Sequence, residues 1–248
     1  MQSFITNDQT KNLLKRLDQL IQKTTELKFL VGFFYFSGIK HLYNSLLNKP
    51  DINIKILVGL NVDCINYQIF ECADTIQSNL SNNKIINRYF QSIQKSINSD
   101  EFDTKEFYEQ VRYFINLIRE GKLNIRKTLD PNHAKLYIFK LDKEQVKDTI
   151  FITGSSNLTR AGLVEQNEFN VEISDYGIKE ADEYFDRLWE KSVKITEDEQ
   201  RKQNLIQILE NNTLIKEIKP FEAYCYVLKT YLDSYEVVSI GEHLCTLM

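Results

Sequence analysis

His133 and Lys135 stand two residues apart at the start of a predicted strand, 134–141. Because side chains alternate along a strand, this spacing places an imidazole and an ammonium group on the same face. Such a pair suits an anionic substrate, since the histidine can attack phosphorus while the lysine neutralises a phosphate oxygen. The same spacing is common on protein surfaces, so these two residues alone do not establish a site.

A second polar string follows the next predicted strand, 149–153. It reads Gly154-Ser155-Ser156-Asn157. Small residues at the end of a strand let backbone N–H groups and hydroxyls approach a phosphate closely, and the Asn157 amide adds a neutral donor. As an isolated string it would be only a polar turn.

Together the two strings resemble the signature of the phospholipase D superfamily, which is H-x-K followed, after a variable insert, by G-S-x-N. Glu168 lies eleven residues after Asn157 and is similar to the carboxylate of the N-x-E stretch in the family's nucleases. The resemblance implies that this carboxylate orients a histidine. It therefore identifies five candidate catalytic residues: His133, Lys135, Ser155, Asn157 and Glu168.

Five more polar residues near these strings are candidate substrate-binding groups: Ser156, Lys140, Arg160, Asn170 and Glu172. Glu172 shares the strand face of Glu168 and is the reserve candidate for the orienting carboxylate. The chain departs from the family pattern at two positions. The phospholipase form of the motif has an aspartate where this chain has Lys140, and Gln166 replaces the N-x-E asparagine. The first departure disfavours a lipid substrate.

The chain has one H-x-K, whereas the two-step mechanism of the family uses two histidines. His41 and His243 lack the accompanying lysine and G-S-x-N. The resemblance therefore implies a two-fold homodimer that shares one active site between two copies of His133. It implies neither a metal ion nor another cofactor. The expected substrate is DNA, with RNA as the open alternative.

The patterning of the chain predicts an α/β fold. β-type runs predict strands at 27–36, 52–60, 123–127, 134–141, 149–153 and 168–173. Apolar residues at helical spacing predict helices at 9–24, 39–47, 67–120, 178–191, 197–211 and 221–232. With the resemblance, this order implies a PLD-like mixed β-sheet flanked by helices over 1–195. A C-terminal helical extension, 196–248, resembles the segment that joins such domains to a helicase motor.

The composition limits the classes of partner. The net charge of −4 argues against an extended surface that coats nucleic acid. Residues 121–160 nevertheless carry eight basic and four acidic side chains, which makes this window +4 and the remainder −8. A local phosphate site fits this distribution. The apolar runs are too short to span a bilayer and the N-terminal residues do not form a signal peptide, so a cytoplasmic protein without a membrane partner is expected.

These features predict a metal-independent nuclease that cleaves DNA through a phosphohistidine, in bacterial DNA processing or restriction. The leading alternative is a nucleic-acid-binding module of a helicase that kept the fold but hydrolyses little. Retention of the motif residues favours the enzyme, while Lys140 and the acidic net charge favour the module. A phospholipase ranks third, because the chain has only a single motif and lacks a membrane segment.

Overall fold

The structure is a computed structural model. It describes residues 4–6, 12–32, 38, 41–65, 68–72, 81–97, 105–159 and 161–213, and further along the chain residues 220–221, 224–225, 227–229 and 231–232. The chain forms two compact units, Met1–Thr213 and Leu214–Met248. The first unit ends at Thr213, and the boundary at residue 195 between the PLD-like domain and its helical extension stays a prediction. All of the candidate site residues belong to this first unit.

The described residues form ten strands: β1 (Phe4–Ile5), β2 (Thr24–Val31), β3 (Asn53–Val58), β4 (Asn61–Ile65), β5 (Gln68–Cys72), β6 (Leu123–Lys127), β7 (Leu136–Leu141), β8 (Thr149–Gly154), β9 (Asn170–Ile173) and β10 (Val193–Lys194). Eight of them make one mixed sheet in the order β1-β9-β8-β7-β2-β3-β6-β10, while β4 and β5 form a separate hairpin. β2, β3 and β6 run parallel, and β7, β8 and β9 pair antiparallel. The predicted α/β fold with a PLD-like mixed sheet is confirmed.

This topology brings several strand ends to one edge of the sheet. β2, β3, β6 and β8 end there, and β7 and β9 begin there. His133 and Lys135 precede β7, Ser155 and Asn157 follow β8, and Glu168 precedes β9. We call this end of the sheet, defined by those five residues, the motif edge.

The helices in the described ranges are α1 (Leu13–Ile21), α2 (Tyr43–Leu47), α3 (Asn82–Ile97), α4 (Lys105–Arg119), α5 (Ile178–Lys191) and α6 (Glu199–Asn211), with a short π-helix at Ala161–Glu165. α1 begins where the Asn12 side chain accepts a hydrogen bond from the backbone N–H of Lys15. Its buried residues recur at helical spacing and face the sheet: Leu13, Leu17, Leu20 and Ile21. No helix in these ranges has the length and apolar character needed to cross a membrane.

The core on one face of the sheet lies beneath α5. Phe185 and Trp189 of this helix stack on each other and pack on apolar side chains from four strands, namely Leu30, Leu57, Leu136, Ile138 and Phe151. α1 packs close to β2 and β7. Burial of apolar area on both faces holds β7, β8 and β9 in register, and so fixes the relative positions of the strand ends at the motif edge.

One predicted helical region is wrong at its start. Residues 68–72 were expected to be helical as part of 67–120, but they form β5, which pairs with β4 from Ile65 opposite Gln68 to Asn61 opposite Cys72. Backbone pairing with β4 overrides the local helix preference of these residues. The helices of this region are α3 and α4. Of the predicted strand 27–36, residues 33–36 lie outside the described part of the chain.

Candidate active site

Lys135 lies against the imidazole of His133. Its Nζ atom is 2.7 Å from Nδ1 and 3.2 Å from Nε2, and it donates a hydrogen bond of 3.0 Å to the His133 carbonyl. Both residues precede β7, which begins at Leu136 and not at the predicted residue 134. Lys135 is only 5% exposed, whereas His133 is exposed. An imidazole open to solvent thus stands beside a cation that is largely shielded from it.

The loop that carries His133 is held by its neighbour Asn132. The Asn132 side chain accepts a hydrogen bond of 2.9 Å from the Ala134 N–H and donates one of 3.2 Å to the Tyr184 hydroxyl of α5. Its backbone N–H donates to the Gly59 carbonyl at 3.1 Å. A Cβ atom on Gly59 would lie 1.8 Å from the Asn132 carbonyl oxygen, so only glycine allows this approach. The end of β3 therefore fixes the position of His133.

Asn157 converges on the same volume. Its side-chain oxygen accepts a hydrogen bond of 3.1 Å from the backbone N–H of Gly32, which follows β2. A Cβ atom on Gly32 would lie 3.0 Å from that oxygen and 3.7 Å from Nζ of Lys135. The amide of Asn157 and the ammonium of Lys135 therefore flank one point above the end of β2. Two donors so placed can hold two oxygens of one phosphate.

Ser155 joins the end of β8 to the start of β9. Its hydroxyl donates to a carboxylate oxygen of Glu168 and accepts a hydrogen bond of 3.0 Å from the Phe169 N–H, while its own N–H donates to the Phe169 carbonyl at 3.2 Å. The structure thus brings Ser155 and Glu168 together at the motif edge. The orientation of a histidine by Glu168 stays a prediction.

Ser156 and Asn170 support the turn from within. Both are fully buried, the Asn170 amide donates to the Ser156 hydroxyl at 2.9 Å, and the Ser156 N–H donates back to the Asn170 side chain at 3.3 Å. The hydroxyl of Tyr137 on β7 donates to the Ser156 carbonyl at 2.7 Å. Burial, together with the charge of Glu168, raises the pKa of Tyr137, so this hydroxyl keeps its proton and stays a donor. The G-S-S-N turn is therefore held rigidly between β7 and β9.

Two of the predicted substrate-binding residues form ion pairs elsewhere. Lys140 lies at the other end of β7, where its ammonium contacts Asp182 of α5. Glu172 is buried and receives two hydrogen bonds of 2.6 Å from the Arg16 guanidinium of α1. These bonds raise the pKa of Arg16. The structure brings neither residue to the motif edge, and Arg160 lies outside the described residues.

Half of the basic side chains in the window 121–160 are paired with carboxylates that lie outside it. Four of its eight basic residues form ion pairs with carboxylates, namely Lys122, Arg126, Lys140 and Lys147. Arg126 is also stacked on Trp189 at 4.3 Å and is buried. The charge excess read from the sequence therefore does not mark a broad phosphate-binding surface. At the motif edge the cation beside the His133 imidazole is Lys135.

The residues that sequence reasoning missed are Gly32, Gly59, Asn132 and Tyr137. A signal for two of them was present, because Gly32 and Gly59 each directly follow a buried run that forms a parallel strand. A glycine at such a strand end indicates a close approach by another part of the chain. Asn132 and Tyr137 offer no comparable signal, since Tyr184 and the Ser156 carbonyl, to which they donate, lie 52 and 19 residues away.

The described residues do not gather three His, Cys, Asp or Glu side chains in a cluster that could hold a metal ion. Two surface cavities of about 270 and 310 Å³ are lined by residues of α3 and α6 and their flanks, and contain no motif residue. The motif edge is therefore not part of either cavity.

Comparison with known proteins gives a family match over most of the chain. The family described as cardiolipin synthase, PLD-like domain, matches residues 17–189. This span runs from within α1 to near the end of α5 and contains every candidate site residue. No protein with a curated description matches the sequence.

Several solved structures are similar at low identity. NucT from Helicobacter pylori is 15% identical with a TM-score of 0.41, over 73% of this chain and 90% of that chain. Nuc from Salmonella typhimurium, a phospholipase D family member, is 14% identical with a TM-score of 0.37, over 73% and 88%. Phosphatidylserine synthase from Haemophilus influenzae is 13% identical with a TM-score of 0.47, over 91% and 46%.

Proposed function

Because the chain belongs to the PLD-like domain family of the phospholipase D superfamily, whose members are typically phosphodiesterases, we propose that it cleaves DNA without a metal ion through a phosphohistidine at His133. The observation that carries the proposal is the position of Lys135 Nζ, 2.7 and 3.2 Å from the two imidazole nitrogens, with Asn157 flanking the same volume. The candidate nucleophile and the groups that would donate hydrogen bonds to phosphate oxygens therefore lie together at the motif edge.

The first step is attack on phosphorus. An imidazole nitrogen of His133 donates its lone pair to phosphorus, the bond from phosphorus to the leaving oxygen breaks, and a histidine proton passes to that oxygen. Lys135 and Asn157 hold the nonbridging oxygens as their charge grows. Ser155, bonded to Glu168, adds a hydroxyl at the same edge.

Both steps need a second histidine, and we propose that His133 of the partner subunit supplies it. That group protonates the leaving oxygen and then takes a proton from water, which attacks phosphorus and breaks the phosphorus–nitrogen bond. A two-fold axis would bring the two imidazoles to one phosphate. Exposure of His133 supports this arrangement, since a second copy can reach it.

The decisive experiment is incubation of the purified protein with plasmid and single-stranded DNA in excess EDTA. Cleavage should persist, because histidine and lysine replace the metal, and His133→Ala should abolish it. His243→Ala, which removes a histidine outside the motifs, is the matched control and should remain active. Strict dependence on added magnesium would refute the mechanism. Tight DNA binding without cleavage in any buffer would instead favour the helicase-associated binding module.

The shared site predicts a dominant effect of inactive chains. When wild-type chains are mixed and re-equilibrated with an equal amount of His133→Ala chains, activity should fall to about half, because random pairing leaves only half of the wild-type chains with a wild-type partner. Activity unchanged by the added chains, or a fully active monomer at nanomolar concentration, would contradict the shared site.

The cellular setting that we propose is bacterial DNA processing or restriction. The unit Leu214–Met248 would then connect the nuclease to a helicase motor, as the sequence resemblance implies. Copurification of cleavage with an ATP-dependent motor encoded in the same protein would test this setting.

A further inference from the structure

Two phenylalanines beside the motif edge expose their rings to solvent. Phe4 of β1 and Phe169, which directly precedes β9, are 52% and 55% exposed. Their ring centroids are 5.5 Å apart with an interplanar angle of 34°. The register explains the contact, because Phe4 pairs with Val171, two residues from Phe169 on the same strand face. The two rings form a small aromatic surface that no described residue covers fully.

The backbone of Phe169 is hydrogen-bonded to the candidate active site. Phe169 follows Glu168 in the chain, and both of its backbone polar groups bond Ser155, at 3.0 and 3.2 Å. A phosphate bound at the motif edge would therefore lie beside the segment that carries the Phe169 ring.

On the premise of the proposed DNA phosphodiesterase, we propose that Phe4 and Phe169 form a stacking surface for an unpaired base next to the scissile phosphate, so that the substrate is single-stranded DNA. Bases stack on exposed aromatic rings in a sequence-tolerant way, because every base has a π-face. In a duplex each base face is already covered by its neighbours, so only an unpaired or extruded base can use these rings.

A second copy of the chain is a weaker candidate for the same surface. Two half-exposed phenylalanine rings offer roughly 200 Å² of apolar surface, whereas a stable interface buries about 800 Å² on each partner. The pair matches the size of a nucleobase, and it lies at the place where a phosphodiester must be bound for cleavage.

The test is DNA binding by the double variant Phe4→Leu, Phe169→Leu, which keeps apolar side chains but removes both flat rings. The ligands are one labelled single-stranded oligonucleotide, the same sequence as a duplex, and an abasic strand of equal length. All binding is measured in EDTA with proteins that also carry His133→Ala, so that no ligand is cleaved. Tyr176→Leu is the matched control, since Tyr176 is 70% exposed and lies beyond the opposite end of β9.

We expect the protein with both rings to bind the single strand at least about fivefold more tightly than the abasic strand or the duplex. The double leucine variant should lose this advantage and keep its affinity for the abasic strand, which also shows that it is folded. Phe169→Trp should retain the preference, and Tyr176→Leu should not change it.

Three results would overturn the proposal. The first is that the double variant binds the single strand as tightly as the Tyr176→Leu control does. The second is that the double variant loses as much affinity for the abasic strand as for the intact strand. The third is that the double variant dissociates a dimer in sedimentation, which would assign the rings to a second copy. The proposed catalysis is tested separately, by cleavage in EDTA with His133 intact. Stacking without cleavage would refute the catalytic mechanism alone. Cleavage together with DNA binding that does not depend on the two rings would refute the stacking surface alone.

Discussion

Replacing Lys140 with aspartate would give the chain the residue found in the phospholipase form of the motif, yet we expect this change to destabilise the protein. The Lys28 ammonium, which is buried, lies 2.7 Å from both Asp182 and Asp186, and Lys140 also contacts Asp182. Burial by itself lowers the pKa of Lys28, but the hydrogen bonds that it donates to the two aspartates raise the pKa above its ordinary value, so Lys28 stays charged. Lys140→Asp turns a group of two cations and two anions into one cation and three anions.

The magnitude follows from the exposure of the pair. The side chains of Lys140 and Asp182 are 28% and 23% exposed, so water and salt screen them in part. Loss of their attraction should cost about 1 kcal/mol, and an aspartate facing Asp182 should add repulsion of about the same size. A total of about 2 kcal/mol lowers the melting temperature of a unit of this size by roughly 4–8 °C.

The assay is urea unfolding of Lys140→Asp, Asp182→Lys and the double variant, together with cleavage per folded molecule. The charge-swapped double variant should be about 1 kcal/mol more stable than the summed losses of the two single variants predict, because it restores the attraction between positions 140 and 182. Cleavage should not change, since five strand residues separate Lys140 from Lys135 by about 16 Å. A stable Lys140→Asp variant would refute the structural role. A stable variant that has lost cleavage would return Lys140 to the substrate-binding role that the sequence suggests.

Three further perturbations test the site and its support. Gly32→Ala should slow cleavage by roughly tenfold or more with little loss of stability, because its Cβ would lie 3.0 Å from the Asn157 side-chain oxygen; an unchanged kcat would contradict this geometry. Tyr137→Phe leaves the buried Ser156 carbonyl without its 2.7 Å donor, so urea unfolding should show a loss of about 1–3 kcal/mol, and equal stability would refute that reading. Burial raises the pKa of Asp182, but hydrogen bonds from two lysines bring it below its ordinary value. The stabilisation that ionised Asp182 provides is complete above the pKa of an unfolded aspartate and is lost as the pH falls through the lowered pKa. Melting temperatures should therefore fall more steeply in acid for the wild type than for Asp182→Asn. Parallel curves of melting temperature against pH would count against this contribution.

The sequence predicted the motif edge because its parts are local. The residues from His133 to Glu168 lie at the ends of β7, β8 and β9, which are consecutive in the chain and pair with their sequence neighbours. Alternation within each strand and short connections between strands are sufficient to bring such ends together. The nearly continuous apolar runs of β2 and β3 likewise indicated buried parallel strands.

Contacts between distant residues were not predictable in this way. Lys140 and Glu172 are charged residues near the motifs, and nothing local shows that their partners are Asp182, 42 residues away, and Arg16, 156 residues away. The same limit applies to the basic window, whose charge was read without the carboxylates that neutralise it. Strand β5 was missed because pairing with β4 decides its conformation, and pairing is a tertiary property.

The two outermost strands of the sheet, β1 and β10, are each only two residues long. Such short edge strands present few unpaired main-chain N–H and C=O groups, so the sheets of two molecules have little backbone through which to pair. Two copies that share a site as proposed would therefore meet through loop side chains and not by strand addition. Substitutions in those loops could then weaken association while leaving the fold of each subunit intact.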